Sequence, residues 1–306
     1  MSRIHEALKK AEQERAATNG GAPASLTEIP LQGSGNSTGI DAAEVPASSA
    51  SSAVSNFATP FSLESRCAKY EWRPDPAVML FLNGDNNLKG TEQYRTLRSR
   101  LYHLREKMQL KKLLITSALP KEGKSFTAVN LAQVMVRQHG RRALLIDGDL
   151  RGPRLHLMLG TSAGPGLSDY LEGKCDEFSI MQRGPMENLY FIPSGAGIED
   201  PAELIGSERL KILMQRLEPL FDWIIIDSPP AVAVSDASVL SKVCDGVLIV
   251  VRSNVTPADV ARKAREEFPD DMLLGVVLNG ANEQAAPYER YYYEAYQTNK
   301  DTPTKS

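Results

Sequence analysis

Cysteine is scarce: the 306-residue chain has three, Cys67, Cys175 and Cys244, far apart and in no C-x-x-C or Cys/His spacing. That excludes a disulfide framework and a thiolate metal site, and it points to free thiols in a reducing cytoplasm. Long hydrophobic runs are missing too. No apolar stretch approaches the roughly 18 residues of a membrane-spanning helix, and no signal peptide is expected. A soluble protein is expected, with any membrane role exerted through a partner. Positive charge is not in excess, since the formal net charge is −3; the electrostatic footprint of a nucleic-acid binder is absent. Between residues 18 and 65 there is no lysine or arginine at all, and Ser, Ala, Gly, Thr and Pro dominate. Such a stretch buries too little apolar surface to offset its ordering entropy.

What is present divides into four expected parts. Residues 1–17 carry a narrow helical stripe of Ile4, Ala7, Leu8 and Ala11 between charged neighbours, either a solvent-exposed helix or a docking helix. Residues 18–82 read as a flexible linker in which Phe57, Phe61 and Leu63 offer at most a transient contact. Residues 83–282 form the main domain, and 283–306 a tail. In the domain, apolar runs at 112–116, 142–146, 189–192, 223–226, 246–251 and 273–278 alternate with helical stretches at 125–138, 207–217, 236–243 and 257–268. A further helix is expected at 91–107, with Leu97, Leu101 and Leu104 at helical spacing. This alternation predicts an α/β fold, a parallel sheet with helices on both faces, and the unbroken apolar runs predict strands buried on both sides.

The run Leu113-Leu114-Ile115-Thr116 leads into Ala118-Leu119-Pro120-Lys121-Glu122-Gly123-Lys124-Ser125 and then a helix opening with Phe126. Strand, phosphate loop and helix N-terminus in that order make a P-loop nucleotide site. Backbone N–H groups around Glu122 to Ser125 would face phosphates, and Lys121, Glu122, Gly123, Lys124, Ser125 and Phe126 are the expected nucleotide-binding residues. Lys124 would reach the β- and γ-phosphates and the Ser125 hydroxyl would ligate Mg²⁺. Ala118 stands where the pattern has its first glycine, and Pro120 would fix the bend instead. A second strand ends in Asp147-Gly148-Asp149-Leu150-Arg151 and a third in Asp227-Ser228-Pro229-Pro230. Acidic residues at these strand ends sit where open α/β sheets bind ligands, and hard Mg²⁺ prefers oxygen donors.

Together these stretches resemble the bacterial tyrosine kinases of capsule and exopolysaccharide systems, a P-loop NTPase-like group. Gly166-Leu167-Ser168-Asp169-Tyr170-Leu171, Pro201-Ala202-Glu203-Leu204, Val234-Ser235-Asp236-Ala237 and Gly275-Val276-Val277-Leu278-Asn279 extend the resemblance. The opening Met1-Ser2-Arg3-Ile4-His5-Glu6-Ala7-Leu8 is similar to the subgroup beside exosortase-type loci. The resemblance implies an ATP- and Mg²⁺-dependent autokinase. In it Lys124 grips phosphate, Asp147 and Asp149 serve the metal and the acceptor phenol, and Ser125, Asp147 and Asp227 hold the metal shell. It also implies a homo-oligomeric ring joined through Glu92, Arg95 and Arg98, which lie at helical spacing along one face. A membrane polysaccharide co-polymerase is implied as activator, placing the chain at the inner membrane through that partner. A partition-type ATPase switch without kinase activity is the alternative, but Leu119 stands where those proteins carry a signature lysine. A scaffold that binds ATP without turnover is a third.

Five of the ten tyrosines, Tyr288, Tyr291, Tyr292, Tyr293 and Tyr296, fall within nine residues of the tail. Their spacing suits neither a strand nor a helix that would bury all five, although an amphipathic helix could pack one or two. They are expected to be accessible phenols and autophosphorylation sites.

Overall fold

Burial of unbroken apolar runs is what builds this domain. The computed structural model describes residues 60–81 and 90–281; the helix expected at 1–17 and the tyrosine-rich tail lie outside these. In chain order the elements are α1 (Pro60–Arg66), β1 (Ala68–Lys69), α2 (Thr91–Arg105), β2 (Lys112–Ser117), α3 (Lys124–Val136) and β3 (Ala143–Asp147). Then come α4 (Leu155–Leu159), α5 (Leu167–Leu171), β4 (Gln182–Arg183), β5 (Leu189–Ile192), α6 (Pro201–Ile205) and α7 (Glu208–Leu217). The last are β6 (Trp223–Asp227), α8 (Asp236–Ser241), β7 (Gly246–Arg252), α9 (Ala258–Glu266) and β8 (Leu273–Asn279). All six expected strands form, each within a residue or so of its expected ends.

The sheet runs β1-β4-β5-β3-β6-β2-β7-β8. Every neighbouring pair is parallel except β4 with β5. Two hydrophobic cores cover its faces. Residues alternate between them along each strand: Leu114, Leu144 and Ile224 face one, Leu113, Leu145 and Ile225 the other. This is the alternation of a sheet buried on both sides. Helix α3 lies in the second core, where every residue but Phe126 is buried. Among the described residues no helix is long and apolar enough to cross a membrane.

The structure corrects one boundary. Residues 60–81, expected as the end of a flexible linker, are folded onto the domain. Leu63 and Cys67 are buried in the first core, and Trp72, Met79 and Phe81 in the second. The segment therefore passes around the β1 edge of the sheet from one face to the other. Trp72 packs edge-on to Phe191 at 6.2 Å and lies against Gly184, where an added Cβ would sit 2.1 Å from the indole. The far end is fastened to α3: Asn130 Oδ1 accepts the Leu80 N–H at 2.8 Å, and Asn130 Nδ2 donates to the Val78 carbonyl at 2.8 Å. Arg137 donates to the Phe81 carbonyl. The polar composition upstream of residue 60 masked these apolar anchors, whose partners are distant in sequence.

Candidate active site

Strands β2, β3 and β6 are neighbours, so their C-terminal ends meet at the centre of one sheet edge. Register then sets the chemistry. Asp147 pairs with Asp227, and Asp227 with Ile115 just before the phosphate loop. Gly148 permits this closeness, because its N–H donates to the Asp227 carbonyl at 2.8 Å and a Cβ there would lie 2.7 Å from that oxygen.

Asp147 and Asp227 are fully buried. Desolvation, then each other's charge, drives Asp147 well above the ordinary carboxylate range, although the Leu155 N–H donates to its Oδ2 at 3.1 Å. Asp227 is raised by burial as well, with Lys124 opposing the shift. Among the described residues, three buried oxygens, Asp147 Oδ1 and both of Asp227, make no hydrogen bond of ordinary length, although Ser125 and the Ser228 N–H lie close enough to Asp227 to oppose its shift. An unsatisfied buried carboxylate is costly.

Lys124 opens α3 and aims its ammonium into this cluster. Nζ lies 2.7 Å from Asp149 Oδ2, 3.8 Å from Asp227 Oδ2 and 3.4 Å from Ser125 Oγ. Burial alone would push its pKa down, but Asp227, Asp149 and Asp147 outweigh that and hold it above the usual lysine value. Asp149 is anchored on its other oxygen by the Gly152 N–H at 3.0 Å. One ammonium facing three carboxylates leaves the cluster short of positive charge. Its unpartnered oxygens and the adjacent Ser125 hydroxyl fit a hard divalent cation that completes its shell with phosphate and water. Among the described residues no group of three or more His, Cys, Asp or Glu side chains is placed to hold a metal ion by itself, so phosphate and water would have to supply much of the shell.

The phosphate loop has the backbone of an anion cradle. Lys121 has φ 66° and Gly123 φ 97°, both left-handed, immediately before the N-terminus of α3. Of the residues expected to bind nucleotide, Lys121 is exposed and Phe126 packs near Tyr94 at 6.3 Å. Glu122 differs: its carboxylate is folded inward. Three residues beyond those expected from sequence touch this loop. Thr256 donates to Glu122 Oε1, Asn279 Nδ2 donates to the Glu122 carbonyl at 2.8 Å, and Arg252 Nη1 donates to the Lys121 carbonyl at 3.3 Å. Their distance along the chain hid them; only Asn279, closing its strand, stood in a motif. At the rim, Arg151 forks onto Asp236, with Nε at 2.8 Å and Nη2 at 3.0 Å.

The residues expected at a subunit contact lie elsewhere, on α2. Glu92 and Arg95 are brought together as an ion pair. Arg98 turns inward, and its Nη1 donates to the Val134 carbonyl at 2.9 Å near the end of α3.

Comparison with known proteins gives a consistent set. A sequence profile of the AAA domain matches residues 121–259. The tyrosine-protein kinase YwqD of Bacillus subtilis is 38% identical over 192 residues, covering 62% of this chain and 81% of that one. The tyrosine-protein kinase wzc of Salmonella typhimurium is 33% identical over 213 residues, 69% of this chain but only 30% of that longer protein. Among solved structures, the kinase domain of the Escherichia coli tyrosine kinase ETK is 30% identical with a TM-score of 0.59, covering 64% of this chain and 77% of that one. The chimerical protein CapA2B2 gives a TM-score of 0.64 at 29% identity, covering 70% and 94%.

Proposed function

The chain belongs to the bacterial tyrosine-protein kinases, and we propose that it phosphorylates the tyrosines of its own C-terminal tail in trans. The observation that carries this reading is the cluster at the sheet edge: one buried ammonium, Lys124, facing Asp149 and Asp227, with Asp147 beside them. Phosphoryl transfer needs positioning and charge neutralisation more than covalent help. The phosphate loop and Lys124 bind and orient the triphosphate. Ser125, Asp147 and Asp227 would hold Mg²⁺, which supplies charge neutralisation of phosphate oxygens. The bond from the γ-phosphorus to the ADP oxygen breaks, a bond to the phenolic oxygen forms, and Asp147 or Asp149 takes the phenol proton.

Tyr288, Tyr291, Tyr292, Tyr293 and Tyr296 are the acceptors in this reading. Tyr288, the first of them, comes nine residues after Asn279, the end of the last strand, and in this reading they enter a neighbouring subunit's site. Glu92, Arg95 and Arg98 join subunits into a ring. Each phosphotyrosine adds about −1.5 to −2 charges, so a fully modified tail repels its neighbours and opens the ring. A membrane polysaccharide co-polymerase activates the kinase and holds it at the cytoplasmic face of the membrane, and the cycle regulates exopolysaccharide polymerisation and export.

The test is intact mass and phosphopeptide mapping of the full chain after Mg²⁺-ATP, beside Lys124→Met. Phosphate on residues 288–296 in the wild type alone is the expected result. Steady ATP hydrolysis with no phosphotyrosine, with or without the co-polymerase's cytoplasmic segment, would replace this reading with a nucleotide-driven switch.

A further inference from the structure

Glu122 is in the phosphate loop, yet its side chain is only 2% exposed. Its Oε2 accepts the Leu119 N–H at 2.7 Å, closing the loop upon itself, and its Oε1 accepts the Thr256 hydroxyl. That hydroxyl has a fixed direction, because its oxygen also accepts the Arg252 N–H at 3.1 Å and its one proton is left for Glu122. On the other side, Asn279 Nδ2 donates to the Glu122 carbonyl at 2.8 Å. The Asn279 amide is oriented by the Gly280 N–H, which donates to its Oδ1 at 2.9 Å. Asn279 also presses on the next residue: a Cβ on Gly123 would lie 2.0 Å from Nδ2, so only glycine fits beneath it.

Two groups from outside the motif therefore grip the loop at Glu122. Thr256 comes from the turn after β7 and Asn279 from the end of β8. Neither belongs to the carboxylate cluster on β3 and β6. We infer that Thr256 and Asn279 are positioning residues for nucleotide binding, clamping the phosphate loop through Glu122 so that its N–H groups face the phosphates before any nucleotide arrives. A loop held in its binding shape loses less conformational freedom on binding than an unrestrained one. This rests on the reading of the loop as a nucleotide site, and it adds the residues that shape it.

The experiment uses the full chain and three variants, Thr256→Val, Thr256→Ser and Asn279→Leu. Thr256→Val keeps the shape and removes the donor; Thr256→Ser keeps the donor. Two quantities are read: amide hydrogen exchange of the peptide spanning residues 118–125 in protein without added nucleotide, and the Kd for Mg²⁺-ADP. Thr256→Val and Asn279→Leu are expected to exchange faster in that peptide and to bind ADP about fivefold more weakly, the size of one lost hydrogen bond. Thr256→Ser is expected to match the wild type in both. In kinase assays KM for ATP rises while kcat stays within about twofold, which a general loss of folded protein would not produce. Unchanged loop exchange in both disruptive variants overturns the clamp, whatever the affinities. Wild-type protein that bound no ADP would instead overturn the nucleotide reading, and the exchange data would still decide the clamp.

Discussion

The Lys124 ammonium donates to Asp149 Oδ2 at 2.7 Å, a shorter approach than its 3.8 Å to Asp227 Oδ2. A phosphate that recruits Lys124 must compete with Asp149, and under the proposed function the displaced carboxylate would then be free to serve the acceptor phenol. On the proposed reading, Asp149→Asn weakens the competitor and removes one of the two candidate proton acceptors. The expected outcome is an unchanged or lower KM for ATP with kcat down at least about 100-fold, the usual scale of general-base loss. Steady-state kinetics on a tyrosine peptide check this, and a variant with full kcat would take Asp149 out of phenol activation.

Asp147 makes stability depend on pH in a direction that can be worked out. Its folded pKa is raised by burial and by Asp227, so the folded chain holds the proton more tightly than the unfolded chain. The stability from that proton is complete below the ordinary carboxylate pKa and is lost as pH rises through the raised value. Asp147→Asn keeps a neutral side chain at every pH. Its Tm is expected to exceed the wild type's by several degrees at pH 8 and to converge with it near pH 4. Thermal melts across that range check the sign; a gap that closes with rising pH would contradict it.

Arg151 and Asp236 are joined by a fork of two bonds, and Asp236 is completely buried while Arg151 is partly exposed. Removing the arginine strands a buried carboxylate. Arg151→Met is expected to cost about 2 kcal/mol, with the buried-pair penalty reduced by the exposed partner. Adding Asp236→Asn should recover most of that loss. Denaturant unfolding of the single and double variants measures the coupling, and purely additive effects would refute it.

On α2 the two arginines differ in what their loss disturbs. Arg98 holds the Val134 carbonyl of its own subunit, while Arg95 pairs with Glu92 on the helix surface. Replacing Arg98 therefore disturbs α3, and Arg95→Ala is the cleaner probe of assembly. The expected result is a shift toward monomers in sedimentation velocity for Arg95→Ala, larger with Arg98→Ala added. Undiminished oligomers in the double variant would remove this helix from the contact.

Legibility in the sequence followed the range of the forces involved. Strands such as β5 and β6 were readable because an unbroken apolar run has few alternatives to burial on both faces. Helices α4, α5 and α6 were not assigned; with five residues each they have too few turns to display a period. The two-residue strands β1 and β4 exist only through their pairing with each other and with β5. That Lys124, Ser125, Asp147, Asp149 and Asp227 would meet at one sheet edge was legible because each lies at, or within two residues of, the end of an element with a recognisable pattern. The inward turn of Glu122 was not, since Thr256, one of the two groups that hold its carboxylate, lies 134 residues away. Arg98 looked like a surface charge by spacing, and only the packing of α2 beside α3 showed which carbonyl it reaches.

Asn130 sits less than two turns into the helix that begins at Lys124, and besides residues 78 and 80 it bonds the Phe126 carbonyl at 2.9 Å. The chain that wraps the sheet edge is thus bolted to the helix that opens with Lys124. Loss of the Asn130 side chain would release residues 78 and 80 from that helix and leave the wrapped segment to its apolar anchors and to Arg137.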